Sequence, residues 1–239
     1  MYKKKKVIAI IPARAGSKRL VNKNIKSCNG KPLIEWTIES ALSSKLLDRI
    51  FVSTDSKKIR DISINRGLEV PFMRPSSFAK DKSPSWQAII HALKKFKEIG
   101  EKFDYIVLLE PTSPLRKKND IDLAIKKIVN NLNAETLISL GKIHLEHPLI
   151  SKKIHSRRYV KPYINVKKKI YQSQQLDTAY FPYGVIYISD VSSFFEKKSF
   201  YTTRTMPYYI ERWQNYEIDD LLDLMIVENI MKQEGRKNG

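Results

Sequence analysis

Val7-Ile8-Ala9-Ile10-Ile11 runs into Pro12-Ala13-Arg14-Ala15-Gly16-Ser17-Lys18-Arg19, and Asn22-Lys23-Asn24 follows shortly after. Five consecutive apolar residues, mostly β-branched, describe a strand buried on both faces. A strand of that kind belongs to a parallel sheet covered by helices, and ligands of such sheets bind beyond the carboxyl ends of the strands. The turn after residue 11 is built for an anion. Gly16 and Ser17 permit close backbone approach, and Arg14, Lys18 and Lys23 supply cations for phosphate oxygens. The spacing is not that of a Walker loop. Taken alone, the turn is also compatible with a solvated connection between strand and helix.

Outward from this stretch, strand and helix signals alternate. Leu33, Ile34, Thr37, Ile38, Ala41 and Leu42 recur at helical spacing. Arg49–Ser53 reads as a second strand and Thr54-Asp55-Ser56 as a helix start. Glu69–Phe72 reads as a short extended piece, and Ser83-Pro84 as a cap and first turn before Trp86, Ile89, Ile90, Leu93 and Phe96. Tyr105–Leu109 is a core strand ending in Pro111-Thr112-Ser113-Pro114. A helix near Ile121–Val129, strands near Thr136–Leu140 and Tyr183–Ser189, and a last helix from about Asp219 to Gln233 complete the pattern. The alternation predicts an α/β fold, with a mostly parallel sheet and helices on both faces. Its functional loops are expected after residues 11, 53 and 109.

The stretch from 141 to about 181 breaks the pattern. From Lys142 to Lys169 it carries nine Lys or Arg against one acid, Glu146. A segment this long without periodicity reads as a loop, a lid, or an arm reaching a second subunit.

Composition bounds the class. With 239 residues, 42% of them hydrophobic, the chain is long enough for a single domain with a substantial core. The lone Cys28 forms no internal disulfide, and no apolar run approaches the roughly 20 residues that span a bilayer. The apolar stretch after Lys3–Lys6 ends at Pro12, too soon for a signal peptide, so a cytoplasmic protein with no membrane partner is expected. The net charge of +19 suits an anionic ligand, or simply lysine-rich solvated helix faces. No nucleic-acid-binding module accompanies it, and no nucleic-acid partner is expected.

Glu217 and Asp219 flank Ile218 near the C-terminus. Residues two apart on an extended segment point the same way, and two carboxylates so aimed repel unless a cation separates them. Mg2+ fits, because it takes oxygen ligands and binds phosphate beside one or two carboxylates. The competing role for Asp219 is as N-cap of the last helix.

The ordered set of motifs IIPARAGSKRLVNKN, NGKPLIEWTIESAL, FVSTDS, RPSSFAKD, LLEPTSPLR, LEHPL, GVIYIS and YEIDDLLDL resembles the cytidylyltransferases that activate acidic 2-keto sugars, the CMP-sialic acid synthetase family with its legionaminate and pseudaminate branches. The resemblance spans nearly the whole chain. It implies a Rossmann-like nucleotidyltransferase fold over 1–239, with a protruding dimerisation arm at about 141–181. It also implies CTP and a nine-carbon acidic 2-keto sugar as substrates, Mg2+ as cofactor, and a homodimer.

By that resemblance Arg14, Ser17 and Lys18 hold the CTP phosphates, Lys23 and Asn24 close the loop, Arg74 contacts the nucleotide, and Ser83 to Ser85 help select cytosine. Arg14, Lys18 and Lys23 would carry catalysis. Glu110, Thr112, Gln174, Gln175 and Tyr183 fall on the sugar side. There the chain departs from sialic acid synthetases, with Glu110 for glutamine, Ser173 for arginine, and Phe181-Pro182-Tyr183-Gly184 for RPNG. These departures imply a relative of sialic acid, of the legionaminate type, as acceptor. A cytidylyltransferase for the eight-carbon acid Kdo is the alternative, although that group lacks the GSK and KN pattern.

Overall fold

The first apolar run forms strand β1 (Val7–Pro12), whose first five residues are fully buried. The computed structural model describes residues 1–81, 83–156, 158–165 and 176–237. After β1 come a short hairpin, β2 (Ser27–Cys28) with β3 (Lys31–Pro32), and helix α1 (Leu33–Leu42). β4 (Arg49–Ser53), α2 (Lys57–Asn65), α3 (Ser85–Glu98), β5 (Tyr105–Leu108), α4 (Asp120–Val129) and β6 (Thr136–Lys142) follow. A second hairpin, β7 (Lys152–His155) with β8 (Tyr159–Pro162), precedes β9 (Tyr180–Asp190), α5 (Val191–Lys197), β10 (Thr205–Tyr209) and α6 (Leu221–Lys237).

Six strands form one sheet in the order β10-β6-β9-β5-β1-β4. β1 pairs in parallel with β4 and β5, and β10 in parallel with β6, while β9 runs antiparallel between β5 and β6. The sheet is mixed and mostly parallel, as the alternation predicts. Successive side chains of β1 alternate between the two faces. Val7, Ala9 and Ile11 join Ile34 and Ile38 of α1 and Ile125 and Ile128 of α4, whereas Ile8 and Ile10 join Ile89, Leu93 and Phe96 of α3. A third cluster seats α6, through Leu224 and Val227, on Leu20, Leu33, Leu115 and Ile218. Each fully buried aliphatic side chain contributes roughly 1.5–3 kcal/mol.

Three local expectations need correction, and one strand was not foreseen. Glu69–Phe72 joins no strand; Phe72 instead turns inward, 4.6 Å from the ring of Phe51. α3 begins at Ser85 with Pro84 as its N-cap, and the Ser83 hydroxyl donates to Ser77 O at 2.9 Å instead of capping the helix. α6 starts at Leu221 rather than Asp219. The parallel edge strand β10 carries no alternation that would reveal it in advance.

In the 141–181 stretch, β7 and β8 pair only with each other. Every residue of both strands is exposed, including Ile154 at 78% and Val160 at 70%. Two-stranded hairpins are marginal by themselves in water. Val166, Ile170, Tyr171 and Ser173 lie outside the described residues.

On the α3 face, Phe96 meets Phe51, Phe72 and Phe103 edge-on at 5.2, 5.1 and 5.7 Å between centroids. Phe96→Ala should therefore cost about 3–5 kcal/mol, the usual range for emptying a buried aromatic site. Urea denaturation of parent and variant measures this directly.

Candidate active site

The loop after β1 is shaped by its neighbours at the same end of the sheet. Ala13 N donates to Ser53 O at 2.9 Å, Ala15 N to Asp55 Oδ1 at 2.9 Å, and Asn24 Nδ2 to Arg14 O at 3.0 Å. These bonds open the loop into a cavity of about 500 Å3. Arg14 reaches across it to Asp81 Oδ1 at 2.5 Å, and Lys18 to Asp81 Oδ2 at 2.6 Å. The two cations hold the Asp81 carboxyl below the usual carboxylate range, Lys18 more strongly. Arg74 is buried in the wall, where its Nη2 donates to Ser53 O at 2.7 Å and its Nε has no protein partner. Burial lowers its pKa, so an anion placed here would offset a real desolvation cost.

The opposite wall comes from the segment before α6. Ile218 is fully buried, and its N–H donates to Thr112 O at 2.8 Å, which ties this segment to the loop after β5. Lys23 Nζ donates to Ile218 O at 2.8 Å and to Asp219 Oδ1 at 2.9 Å, while Arg19 pairs with Asp219 Oδ2 at 2.9 Å. The helix cap falls to Asp220, whose carboxylate accepts from Asp223 N at 3.0 Å. Asp223 in turn accepts from the N–H groups of Asp219 and Asp220. Asp219 is thus relieved of capping and faces the cavity.

Beneath the cavity a buried guanidinium organises the sheet end. Arg116 donates from Nε to Val185 O at 2.7 Å, from Nη1 to Thr37 Oγ1 at 2.9 Å, and from Nη2 to Glu110 O at 2.8 Å and Gly184 O at 3.0 Å. Burial lowers its pKa to about 10, against the opposing pull of Glu110, Asp120 and Glu217. Glu110 touches the cavity, yet loss of hydration, followed by the charge of Glu217, raises its pKa to about 7. Glu217 accepts from Ser113 Oγ at 2.9 Å and from Gly184 N. A β-carbon at 184 would lie 2.9 Å from Ser113 Oγ and 3.0 Å from both Glu110 Cβ and Glu217 Oε1, so only glycine lets the strand come this close.

Of the residues singled out from sequence, Arg14, Ser17, Lys18, Lys23, Asn24, Arg74, Ser83, Ser85, Glu110, Thr112 and Asp219 line this one cavity. Glu217 does not line it and lies behind Glu110. Tyr183 lines a neighbouring cavity of about 510 Å3 with Lys142, His144, Phe181, Arg212 and Tyr216. Gln174 and Gln175 lie outside the described residues. His147, within the LEHPL motif, is buried and bonds Asp177 O at 3.0 Å. His91 is half-buried against Phe72 and Phe78.

Sequence reading missed Asp55, Asp81 and Arg116 as organisers of the site. Each sits inside a quoted motif, FVSTDS, RPSSFAKD and LLEPTSPLR, but its partner lies far away in the chain.

The donor set fits a hard divalent cation shared with a ligand. Asp219 and Glu110 line the cavity, and the charge of Glu217 is felt at Glu110, where it adds to the larger effect of burial. Among the described residues no group of three or more His, Cys, Asp or Glu is placed to hold a metal ion by itself, so any Mg2+ here would take most of its ligands from water and phosphate oxygens.

A family model described as cytidylyltransferase matches residues 8–234. The chain is 36% identical over 229 residues to a CMP-N,N'-diacetyllegionaminic acid synthase of Legionella pneumophila, covering 95% of this chain and 97% of that protein. It is 34% identical to an N-acylneuraminate cytidylyltransferase of Streptococcus agalactiae, covering 93% of this chain and about half (52%) of that longer protein. The fold superposes on a CMP:2-keto-3-deoxy-manno-octonic acid synthetase solved with CTP, at a TM-score of 0.69 and 18% identity, covering 96% of this chain and 99% of that one.

The Glu110 environment has a pH signature. Its carboxyl keeps a proton in the folded state up to about pH 7 but releases it near 4.5 when unfolded, so stability falls as pH rises between these values. Glu110→Gln removes that loss. Its stability advantage over the parent should grow from pH 5 to pH 8 by no more than about 3 kcal/mol in urea denaturation. An equal difference at both pH values would show that Glu110 is not held protonated.

Proposed function

We propose, for a chain that belongs to the cytidylyltransferase family, that it transfers CMP from CTP to the anomeric hydroxyl of a nine-carbon 2-keto-3-deoxy sugar acid and releases pyrophosphate. The observation that carries this reading is the gathering of Arg14, Lys18, Lys23, Arg74 and Asp219 around one cavity at the strand ends. A triphosphate there exchanges the Asp81 carboxylate for its own oxygens on Arg14 and Lys18. Arg74, buried and with a spare donor, takes another anionic or carbonyl oxygen of the nucleotide. Phe78 and Ser83 to Ser85 line the side where the base would lie.

The sugar's anomeric hydroxyl gives up its proton to solvent, and its oxygen bonds to the α-phosphorus as the bond from that phosphorus to the bridging oxygen breaks, so that pyrophosphate departs with the electron pair. Charge builds on the phosphoryl oxygens, and the fixed cations Lys23 and Arg14 stabilise it in place. Mg2+ held by Asp219, with Glu217 and Glu110 in support, would supply further positive charge at the phosphates when bound. Lys23, only 15% exposed and bonded to Ile218 O, is held ready rather than recruited from solvent.

The neighbouring cavity suits the acceptor. Lys142, His144 and Arg212 offer donors to a carboxylate, and Phe181, Tyr183 and Tyr216 offer apolar walls to acyl groups. A glutamate at 110 replaces an amide with a group that accepts, or when protonated donates, one hydrogen bond. That change and the likeness to the Legionella CMP-N,N'-diacetyllegionaminic acid synthase favour an acceptor of the legionaminate type. The Kdo reading rests on a structural likeness at 18% identity, which speaks to fold alone. The exposed β7–β8 hairpin, with Ile154, Tyr159, Val160 and Tyr163 unburied, fits an arm that packs on a second copy to make a homodimer. Among the described residues no helix is long and apolar enough to cross a membrane.

Pyrophosphate release is expected with CTP, Mg2+ and a legionaminate-type acid when four nucleoside triphosphates are crossed with a panel of 2-keto sugar acids. Lys18→Ala and Asp219→Ala should each lower kcat/KM by at least about 100-fold. Their melting temperatures should stay close to the parent's, because both side chains are substantially exposed. Near-normal turnover in either variant removes that residue from the mechanism, and N-acetylneuraminate as best substrate removes the branch assignment.

A further inference from the structure

Gly141 sits next to the end of β6, at the root of the 141–181 stretch, and is buried. The side chain of Asn215 lies flat on its bare Cα. A β-carbon at 141 would fall 2.5 Å from Asn215 Cγ and 2.8 Å from Nδ2, with Oδ1 closer still. Asn215 Nδ2 donates to Lys142 O at 3.1 Å, so the amide's orientation is set. The opposite atom, Oδ1, is then buried without a hydrogen-bond partner. Folding alone gives no reason to keep an orphaned acceptor, since most apolar residues of this volume would avoid it. Asn215 also closes the 3-10 turn Arg212–Gln214 and stands two residues before Glu217 and four before Asp219.

From this contact, and resting on the cytidylyl-transfer reading above, we infer that Asn215 seated on Gly141 is a positioning residue. It fixes the height at which residues 216–219 cross the sheet end, and through them the carboxylates of Glu217 and Asp219. Gln214, fully buried, anchors the other side of the same turn by donating to Leu115 O at 2.9 Å and Asp120 Oδ2 at 2.7 Å. Beyond these two adjacent anchors the segment is next tied at Ile218, whose N–H donates to Thr112 O at 2.8 Å. The key also couples the root of the hairpin arm, through Lys142, to the wall that bears Asp219. Lys23 and Arg19 bond to this segment, at Ile218 O and Asp219, but Arg14 and Lys18 pair with Asp81 instead, so their hold on phosphate does not depend on it.

The test compares Gly141→Ala, Asn215→Ala and the double variant with the parent. Four quantities are read: CTP binding by calorimetry in EDTA, kcat, the Mg2+ concentration for half-activation, and melting temperature. Asn215→Ala, which adds no clash, should bind CTP in EDTA within a few-fold of the parent, because Arg14 and Lys18, held on Asp81, are untouched. Its kcat should fall about tenfold, the scale expected from displacing groups around a reacting centre. Its half-activating Mg2+ should rise several-fold.

Gly141→Ala should be worse on every reading except CTP binding. The double variant should recover above Gly141→Ala, since the new methyl then meets no amide. Two outcomes would overturn the inference: a lower melting temperature in Asn215→Ala with unchanged kcat and Mg2+ dependence, or a double variant no better than Gly141→Ala. Absence of CTP binding or pyrophosphate release in the parent would instead sink the functional reading itself.

Discussion

One buried guanidinium decides whether this sheet end exists as a site. Two strands that run in opposite directions, β5 and β9, present their ends together here. Arg116 bridges them, donating to Val185 O and the Thr37 hydroxyl, and to Glu110 O and Gly184 O, which also accept from the N–H groups of Ser113 and Glu110. Its planar fork matches several acceptors at fixed angles, which a lysine ammonium on a flexible stem would not do. The charge matters as much as the geometry. Glu110, Glu217 and Asp120 are gathered near it, and without a buried cation their mutual repulsion in a poorly hydrated region would oppose the fold.

Around that centre, the ligand-free chain holds its reactive charges in internal pairs. Asp81 spans Arg14 and Lys18, and Asp219 spans Arg19 and Lys23. Pairs this exposed contribute little to stability. They do keep the cations pointed at the cavity, so that a polyanion meets donors already oriented. Glu110 is the exception, a carboxyl whose raised pKa leaves it able to carry a proton near neutrality. A triphosphate and a cation entering together would change the balance at both walls at once, since Lys23 contacts Asp219 and its charge is also felt at Glu110.

Much of the fold was legible because it is written in short contiguous runs. β1, α1, β4, β5 and α4 each declare themselves through apolar periodicity, and their alternation implies a mostly parallel sheet with two covered faces. The nucleotide loop was legible for the same reason, as its glycine, serine and cations stand within a dozen residues of the strand. Edge strand β10 was not legible, because Thr205–Tyr209 is only partly buried and borrows its register from β6. Nor was the capping of α6. Three aspartates near its start compete for one role, and hydrogen bonds to Asp223, not sequence position, assign it to Asp220 and free Asp219.

What the sequence by itself determined, then, is the layered architecture, the basic, glycine-containing character of the first loop, and the resemblance that led to a cytidylyltransferase. These depend on local burial patterns and on residues adjacent in the chain. Only the tertiary structure decided which carboxylate lines the cavity. Glu217 and Asp219 stand two residues apart, but Gly184 N–H and Ser113 Oγ hold Glu217, and Asp219 lies in the cavity wall. It likewise decided the partners of Arg14, Asp55, Arg116 and Asn215, which lie between 6 and 74 residues away or farther in the chain. A side chain's chemistry is set by its own atoms, but its partner is set by the packing of every element between them.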